Sequence, residues 1–449
     1  MLRRLPILVL LVAAQAARAQ VQDVTFANQV VVNSTTPIAL ATLALPIGSL
    51  ADVALTAHVY LEGAGFDYDS YVISICKDSA SGSEVGVAVW TPGDKTPASG
   101  VFEADTLLVT GFERNVTLPA TYVVCARKAN ATSPDVTASV RGFDAEVAPA
   151  GTSLAGLEAH GLVEVQVIGS TSWTGLATLS VDAGAGSDLL LTAHVVVSGL
   201  GLGGGTRYQF GICKETAGGT LVGETIWRPQ LTASAGATSG DTISLTGFDA
   251  GVSGTVHYVL CARKYDSLAP TISATELGIH AVRKPAGIAA YGVEAIGFPT
   301  SATLDSTSFA SAASIGVDAV TAPYDVRLTA HAHLEGTGFD ANSIYEIGIC
   351  RGFAGGPMVG RTFWRPVHQT TDGNYIADTI ALTGYDGNQA GLTSYVLCAR
   401  QFGSAIPTVT IYDTGLVATV PEPAATALAF TSLGLLAALR VRLRHFAST

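Results

Sequence analysis

Six cysteines are the residues whose spacing most directly indicates chemistry, because paired cysteines form either disulfide bonds or metal sites. They are Cys76, Cys125, Cys213, Cys261, Cys350 and Cys398. The first member of each pair recurs every 137 residues, and the two members lie 49, 48 and 48 residues apart. No histidine recurs beside both cysteines and no Cys-x-x-Cys occurs, which argues against a zinc site. Of the fifteen possible pairings, repetition favours Cys76–Cys125, Cys213–Cys261 and Cys350–Cys398.

Three histidines recur with the same period and are the best candidates for acid–base chemistry. Each ends a Leu-Thr-Ala-His sequence, at His58, His194 and His331. A general base needs a partner of fixed type nearby, and no acid or serine recurs at an obvious matching position. We therefore interpret them as surface histidines in a cross-strand ladder, on an outward-facing strand side. His331 and His333 could instead chelate a metal from one strand face, but only the third copy has both.

Three tryptophans lie 14 residues after the first cysteine of each pair, at Trp90, Trp227 and Trp364. An exposed tryptophan could stack on a sugar ring, but packing in a core is favoured for so large a side chain. The sequence has no Gly-x-Ser-x-Gly elbow, no His-Glu-x-x-His and no phosphate-binding glycine loop in the right context. We predict no catalytic residue, no metal site and no cofactor. A polysaccharide-directed enzyme would need two carboxylates about 5–10 Å apart in a cleft.

Composition indicates a chain that folds and is acidic. Of the 449 residues, 48% are hydrophobic and 13% are charged. That balance can bury a core, and the many small or β-branched residues favour strands. The formal net charge is −12, and six of the 24 basic residues lie in the terminal segments, leaving 18 against 36 acids. An acidic body without a basic patch argues against nucleic acid as a partner.

The recurring positions divide the chain into three copies of one unit. Besides the cysteines, histidines and tryptophans, each copy has an Asp-Thr pair and a Tyr-x-x-Cys-Ala-Arg sequence. The Asp-Thr pairs begin at Asp105, Asp241 and Asp378, and the tyrosines are Tyr122, Tyr258 and Tyr395. A unit of this length is a domain rather than a solenoid repeat. We therefore predict repeat 1 at 20–149, repeat 2 at 150–285 and repeat 3 at 286–419.

Each repeat contains seven or eight short alternating runs separated by Gly, Asp, Ser and Pro, which predicts an all-β fold of three tandem antiparallel β-sandwiches. In repeat 1 the strands are expected near 53–62, 70–77, 84–91, 104–112, 121–127 and 135–142. Alternation places the cysteines on the more polar face, which predicts a partly exposed disulfide between neighbouring strands of one sheet. The immunoglobulin fold joins two sheets instead, so this body is only loosely similar to it.

The N-terminus has the pattern of a secretory signal peptide, predicted as a helix over residues 1–19. Arg3 and Arg4 precede an apolar stretch, and Ala17 and Ala19 form a small-x-small cleavage pattern. Cleavage there would leave Gln20 as the first mature residue. The disulfides fit such an export route, since the periplasm and exterior permit them.

The C-terminal segment, 420–449, has three parts. The sorting motif is Val420, Pro421, Glu422 and Pro423, the next sixteen residues carry no charge, and the basic end contains Arg440, Arg442 and Arg444. Sixteen helical residues rise about 24 Å, so snorkelling arginines would be needed to span a bilayer. An ordinary tail anchor would satisfy the same pattern.

This C-terminal pattern resembles the PEP-CTERM sorting segment of Gram-negative bacteria. The resemblance covers about 30 residues and rests on Pro421-Glu422-Pro423, the apolar span and the arginines. It implies a transmembrane sorting helix that exosortase, a membrane protease-transpeptidase, removes, and an association with exopolysaccharide, biofilm and the cell surface. It implies nothing about the activity of the body.

The sequence therefore predicts an exported, non-catalytic structural or adhesive protein of the cell surface or extracellular matrix. Three domains in series would give length and multivalency, so that weak contacts could add up. The alternative is a carbohydrate-binding surface protein associated with exopolysaccharide. The expected partners are exosortase, the secretion machinery, the membrane before tail processing, and polysaccharide. Export through the inner membrane, with transient membrane anchoring, is the predicted location.

Overall fold

The computed structural model describes fourteen stretches of the chain. They are residues 19–22, 28–46, 50–66, 69–92, 102–117, 119–159, 166–202, 206–229, 238–287, 289–297, 299–340, 342–366, 375–403 and 406–420. Within them the regular secondary structure is entirely β, and no described helix has the length and apolar character to cross a membrane. The predicted signal helix up to residue 18 and the sorting helix from residue 421 lie outside the described residues.

The strands of repeat 1 follow the alternating runs of its sequence. They are β1 (Ala19–Gln22), β2 (Val30–Val32), β3 (Ile38–Leu45), β4 (Ala51–Ala64), β5 (Tyr71–Lys77), β6 (Glu84–Trp90), β7 (Phe102–Val116), β8 (Ala120–Lys128) and β9 (Val136–Pro149). All six strands expected in this repeat are present. β4, β7 and β9 are longer than alternation predicts.

Repeats 2 and 3 contain corresponding strands. Repeat 2 has β10 (Leu154–Ala159), β11 (Gln166–Ile168), β12 (Thr174–Asp182), β13 (Ser187–Leu200), β14 (Tyr208–Lys214), β15 (Leu221–Trp227), β16 (Thr238–Val252), β17 (Thr255–Lys264) and β18 (Ile272–Pro285). Repeat 3 has β19 (Ala290–Glu294), β20 (Thr300–Leu304), β21 (Ala310–Gly336), β22 (Tyr345–Arg351), β23 (Met358–Trp364), β24 (Ile376–Gln401) and β25 (Val409–Thr419). In repeat 3, the two long strands β21 and β24 each correspond to two strands in repeats 1 and 2.

Each repeat is an antiparallel sandwich with the strand order of a jelly roll. In repeat 1 one sheet runs β1-β9-β4-β7, with β2 also on β9, and the other runs β3-β8-β5-β6. Repeat 2 has the same two orders, β10-β18-β13-β16 and β12-β17-β14-β15. Eight strands in two such sheets form a jelly roll. The predicted sandwich is confirmed, and the loose immunoglobulin comparison is replaced by this topology.

Period-two alternation builds the core of each sandwich. In β4, Leu55, Ala57 and Val59 point into the core of repeat 1, which also contains Trp90 from β6. The opposite face of β4 is just as inaccessible, since every residue from Ala51 to Tyr60 is buried. A strand buried on both faces has its second face against another structural layer. In this protein that layer is a neighbouring repeat.

Apolar clusters between repeats show that the three sandwiches pack together side by side. Ala54 and Phe112 of repeat 1 join Leu154 and Val282 of repeat 2 in one buried cluster. The next junction repeats the pattern, with Leu190 and Phe248 against Ala290 and Val417. We call these contacts seam 1–2 and seam 2–3.

Repeat 3 also contacts repeat 1, at what we call the closing seam. Thr106 and Thr362 share a hydrogen bond between their hydroxyls, Arg365 pairs with Glu62 at 3.1 Å, and Ala104 and Arg365 form an isolated β-bridge. The repeats therefore form a closed ring with approximate threefold symmetry. The expected domains in series, extended along the chain, are wrong, because the polar face of the inner sheet is buried between repeats.

Candidate functional site

The recurring tryptophans are core residues. Trp90, Trp227 and Trp364 are 3%, 2% and 1% exposed. Each ring lies against the tyrosine that begins the neighbouring strand, with centroids 5.4–5.5 Å apart, as for Trp227 and Tyr208. The prediction of core packing is confirmed. A sugar platform built from these three residues is wrong, because no face of the indole is accessible.

The three disulfides pair as predicted, Cys76–Cys125, Cys213–Cys261 and Cys350–Cys398. Each joins neighbouring strands of one sheet, such as β14 and β17. The expected partial exposure is wrong, since all six cysteines are buried. In repeat 2 the reason is visible: Trp173, Ala217 and Leu221 pack over the sulfurs, outside the main core.

The recurring histidines are buried in the seams. The rings of His58, His194 and His331 are inaccessible to solvent, which contradicts the predicted surface ladder. Alternation assigned them correctly to the face opposite the core, but that face meets the next repeat. Burial lowers the pKa of His58 to about 3 and the pKa of His331 to about 4. Both side chains are therefore neutral at pH 7.

Two of the histidines connect neighbouring repeats through both ring nitrogens. In seam 1–2, His194 Nδ1 lies 2.7 Å from the Thr110 hydroxyl and His194 Nε2 lies 2.8 Å from the Val87 carbonyl. The Thr110 hydroxyl also bonds Glu158 Oε1 at 3.1 Å. This His-Thr-Glu chain links two strands of repeat 2 to one strand of repeat 1.

Seam 2–3 has an equivalent chain. His331 Nδ1 lies 2.9 Å from the Thr246 hydroxyl, which donates to Glu294 Oε1 at 2.8 Å. The second nitrogen, Nε2, lies 3.0 Å from the Glu224 carbonyl. Because both ring nitrogens are used, a metal chelate formed by His331 and His333 is wrong.

Sequence reasoning missed the two glutamates of these chains. Glu158 and Glu294 lie 136 residues apart on short strands, each opposite a glycine of the neighbouring strand. The same spacing points back to Gln22, which lies opposite Gly142 in β1. Repeat 1 thus lacks the acid, so a comparison across all three copies did not reveal it. Burial raises the pKa of Glu158 and of Glu294 well above the ordinary value.

Three aspartates meet where the repeats converge. One carboxylate oxygen each from Asp105, Asp241 and Asp378 lies within 4.8 Å of the others. Each carboxylate also accepts the backbone N–H of the threonine that follows it. We call this group the aspartate layer. It lies at one end of the ring axis, because Asp105 pairs with Leu61 near the end of β4.

Burial dominates the electrostatics of the aspartate layer. It raises the pKa of Asp105 to about 6, and burial together with the neighbouring carboxylates raises the pKa of Asp241 and Asp378 well above the ordinary value. Neutral carboxyls that share protons satisfy such a spacing, and so would one divalent cation. Asp105 and Asp378 are both 6% exposed, so the layer has no cleft through which a polymeric substrate could reach it.

The predicted sorting and cleavage residues fall at the ends of the described chain. Ala19 begins β1, and buried Val420 donates its backbone N–H to the carbonyl of Ala289 at 2.9 Å. The remaining predicted residues lie outside the described residues: Ala17, Pro421, Glu422, Pro423, Arg440, Arg442 and Arg444. Signal cleavage and exosortase processing therefore stay predictions.

Comparisons with known proteins add little. No protein-family model and no curated protein matches the chain. PNGF-II aligns with a TM-score of 0.27 and 7% identity, over 79% of this chain and 99% of that one. The tandem CBM22 domains of Paenibacillus barcinonensis Xyn10C give 0.16 and 10%, over 60% and 99%. A triple jelly roll of an archaeal virus gives 0.17 and 7%, over 90% of each chain. Scores this low carry no argument about shared fold or ligand.

Proposed function

We propose that the protein is an exported structural or adhesive component of the cell surface or extracellular matrix, sorted by its C-terminal segment. The observation that carries the proposal is the use of the recurring polar residues. His194, His331 and the three aspartates are buried between repeats, where they join one sandwich to the next. Their repetition therefore serves assembly of a compact block, and no repeating catalytic set remains.

The disulfides support the exported location. Three bonds, one in each repeat, indicate an oxidising environment outside the cytoplasm. Each closes a loop of 48 or 49 residues, which stabilises by about 4 kcal/mol in the chain-entropy model. A block held within each repeat by a covalent bond, and between repeats by buried seams, suits a protein that must persist outside the cell.

Cell fractionation of the full chain and two variants tests the proposal. The first variant lacks residues 421–449, and the second carries Pro421→Ala, Glu422→Ala and Pro423→Ala with the apolar span and arginines intact. In a host with exosortase we expect the full chain at the surface in a shortened form. The truncated variant should be released, and the triple variant should stay in the inner membrane unprocessed.

Two results would contradict the proposed sorting. One is a truncated form that still fractionates with the membrane. The other is a triple variant that is shortened as efficiently as the full chain. The second result alone would favour an ordinary tail anchor or another protease.

Carbohydrate binding is the second candidate function, and it no longer depends on the recurring tryptophans. What favours it is a polar groove between repeats 1 and 2 that contains arginines without ion pairs. A surface protein that meets polysaccharide would use such a groove for one sugar unit at a time. The residues of this groove are considered next.

A further inference from the structure

A groove of about 350 Å³ opens at seam 1–2, beside the segment that connects the two repeats. Repeat 1 contributes Asp52 and Arg114, and repeat 2 contributes Ser153, Asp182 and Arg283. Its volume lies within the range of small-molecule sites. Hydroxyls, carboxylates and guanidinium groups all line it, so its chemistry is polar.

The two arginines of the groove have donors to spare. Arg283 is half-buried and donates one N–H to the carbonyl of Asp182 at 2.6 Å. Arg114 is exposed and makes one long bond, 3.5 Å, to the carbonyl of Gly156. A guanidinium group carries five N–H donors. Most of the donors on both arginines are therefore available to a ligand.

Neither arginine forms an ion pair with any described residue. This differs from other arginines of this acidic chain, such as Arg327, Arg351 and Arg400, each of which pairs with a carboxylate. Two unpaired guanidinium groups that line one groove repel each other and favour an anion between them. The groove is thus a place where an anionic ligand would gain most.

The two aspartates of the groove direct their oxygens at the backbone. Asp52 accepts the N–H of Asn115 at 3.0 Å and the N–H of Gly151 at 2.7 Å, one with each oxygen. Asp182 accepts the N–H of Gly184 at 3.0 Å. Asp52 therefore holds the connecting segment in place, and its carboxylate does not pair with either arginine.

Seam 2–3 provides an internal comparison. Asp188, the counterpart of Asp52, makes the same two bonds, to Gly251 and Gly287. The positions of Arg114 and Arg283, however, correspond to Ala250 and Val420 when the repeats are aligned by their spacing. A junction of this kind therefore forms without arginines. Their presence in seam 1–2 has no structural explanation within the described residues.

We propose that this groove binds a carboxylate-bearing saccharide, with the carboxylate held by Arg114 and Arg283. Arginine forks bind planar carboxylates through paired hydrogen bonds. The hydroxyl of Ser153 and the free oxygen of Asp182 then meet the sugar hydroxyls. This inference deepens the carbohydrate-binding candidate of the proposed function and rests on it for the ligand class, while the anion-binding character rests on the arginines alone.

Isothermal titration of the exported full chain tests the site, with tri-galacturonate as the probe. Neutral maltotriose, inorganic phosphate and citrate serve as comparison ligands. Arg114→Ala and Arg283→Val place the residues of seam 2–3 into seam 1–2, and Arg127→Ala removes an arginine of the same repeat that does not line the groove. Because Ala250 and Val420 already occur in a folded junction, we expect both groove variants to fold. Circular dichroism and thermal unfolding check this.

We expect tri-galacturonate to bind the unchanged protein and maltotriose to bind at least tenfold more weakly. Each groove substitution should weaken tri-galacturonate by about tenfold, as loss of a charge-assisted hydrogen bond does, and Arg127→Ala should not. Undiminished binding in folded Arg114→Ala and Arg283→Val variants would overturn the site. Equal affinity for phosphate, citrate and tri-galacturonate would overturn the saccharide assignment. Neither result bears on surface sorting, which the fractionation experiment tests separately.

Discussion

The two seams between consecutive repeats differ from the seam that closes the ring. In seams 1–2 and 2–3 the buried histidine uses both ring nitrogens, on a threonine hydroxyl and a backbone carbonyl. In the closing seam, both nitrogens of His58 are buried without a hydrogen-bond partner among the described residues. Unpaired buried polar atoms cost free energy. The ring is therefore held less tightly where its chain ends meet.

The difference has a plausible origin in the covalent chain. Seams 1–2 and 2–3 each include a glutamate on the strand that follows the inter-repeat connection, Glu158 or Glu294. The corresponding position of the closing seam is Gln22, close to the predicted mature N-terminus. Two seams form between covalently linked neighbours, whereas the third joins repeats at opposite ends of the chain. Opening of the block should begin at this third seam.

The largest effect is expected from the glycines behind the histidines. A Cβ at Gly278 would overlap Glu158 and Thr110, and at Gly415 it would overlap Thr246, Glu294 and His331. At Gly142 the described overlap is with the Thr383 hydroxyl alone. Urea unfolding should show a loss of about 3 kcal/mol for Gly278→Ala or Gly415→Ala and about 1 kcal/mol for Gly142→Ala. Equal losses at all three glycines would remove the distinction between the seams.

The next largest effect concerns pH and the aspartate layer, which all three repeats share. The folded pKa of Asp105 is raised to about 6, so its contribution to stability is present below about pH 4 and is lost as the pH rises through 6. Asp105→Asn should remove that loss and stabilise the protein by about 2 kcal/mol at pH 8 relative to its effect at pH 4. Unfolding measured across this pH range checks the slope.

The same substitution at Asp241 or Asp378 should act in the same direction, and Asp266→Asn, at an exposed position, should leave the slope unchanged. His58 has the opposite dependence. Its lowered pKa means that its contribution is present above about pH 6.5 and is lost as the pH falls towards 3. If Asp105→Asn alone failed to change the slope, repeat 1 would not share the aspartate layer.

The smallest effect compares the histidines themselves. His194→Leu leaves the Thr110 hydroxyl and the Val87 carbonyl without their partner, so we expect a loss of about 1.5 kcal/mol in the free energy of unfolding. His58→Leu removes two unpaired buried nitrogens and should be neutral or slightly stabilising. His331→Leu is the matched third variant and should behave like His194→Leu. A loss at His58 as large as at His194 would show that the closing seam is bonded like the others.

Sequence spacing predicted the repeats, the disulfide pairs and the core tryptophans because each depends on contacts within one unit. Alternation in β4 also separated Leu55 and Ala57 from Thr56 and His58 correctly. It could not distinguish solvent from a neighbouring repeat as the surroundings of the second face, since both accept threonine and histidine. The short, charge-poor run Val53–Tyr60 carried the missed signal: a solvent-facing side would have contained more charge.

The aspartate layer and the glutamates were harder to find from sequence. Asp105, Asp241 and Asp378 recur together with threonine, but their meeting depends on ring closure, which no local pattern encodes. The arginines of the groove do not repeat at all, so a search based on recurrence passes over them. Residues that differ between repeats are where this chain departs from its own threefold pattern, and ligand chemistry is best sought there.

The most direct test of the closed ring is a covalent link across its closing seam. Thr106→Cys with Thr362→Cys replaces two side chains that share a hydrogen bond although they are 256 residues apart in sequence. After mild oxidation, peptide mapping without reduction should find these two positions joined within one chain and the three native disulfides intact. Each single variant should form no such link. If the double variant stays unlinked, or links only between chains, the repeats do not form a closed ring.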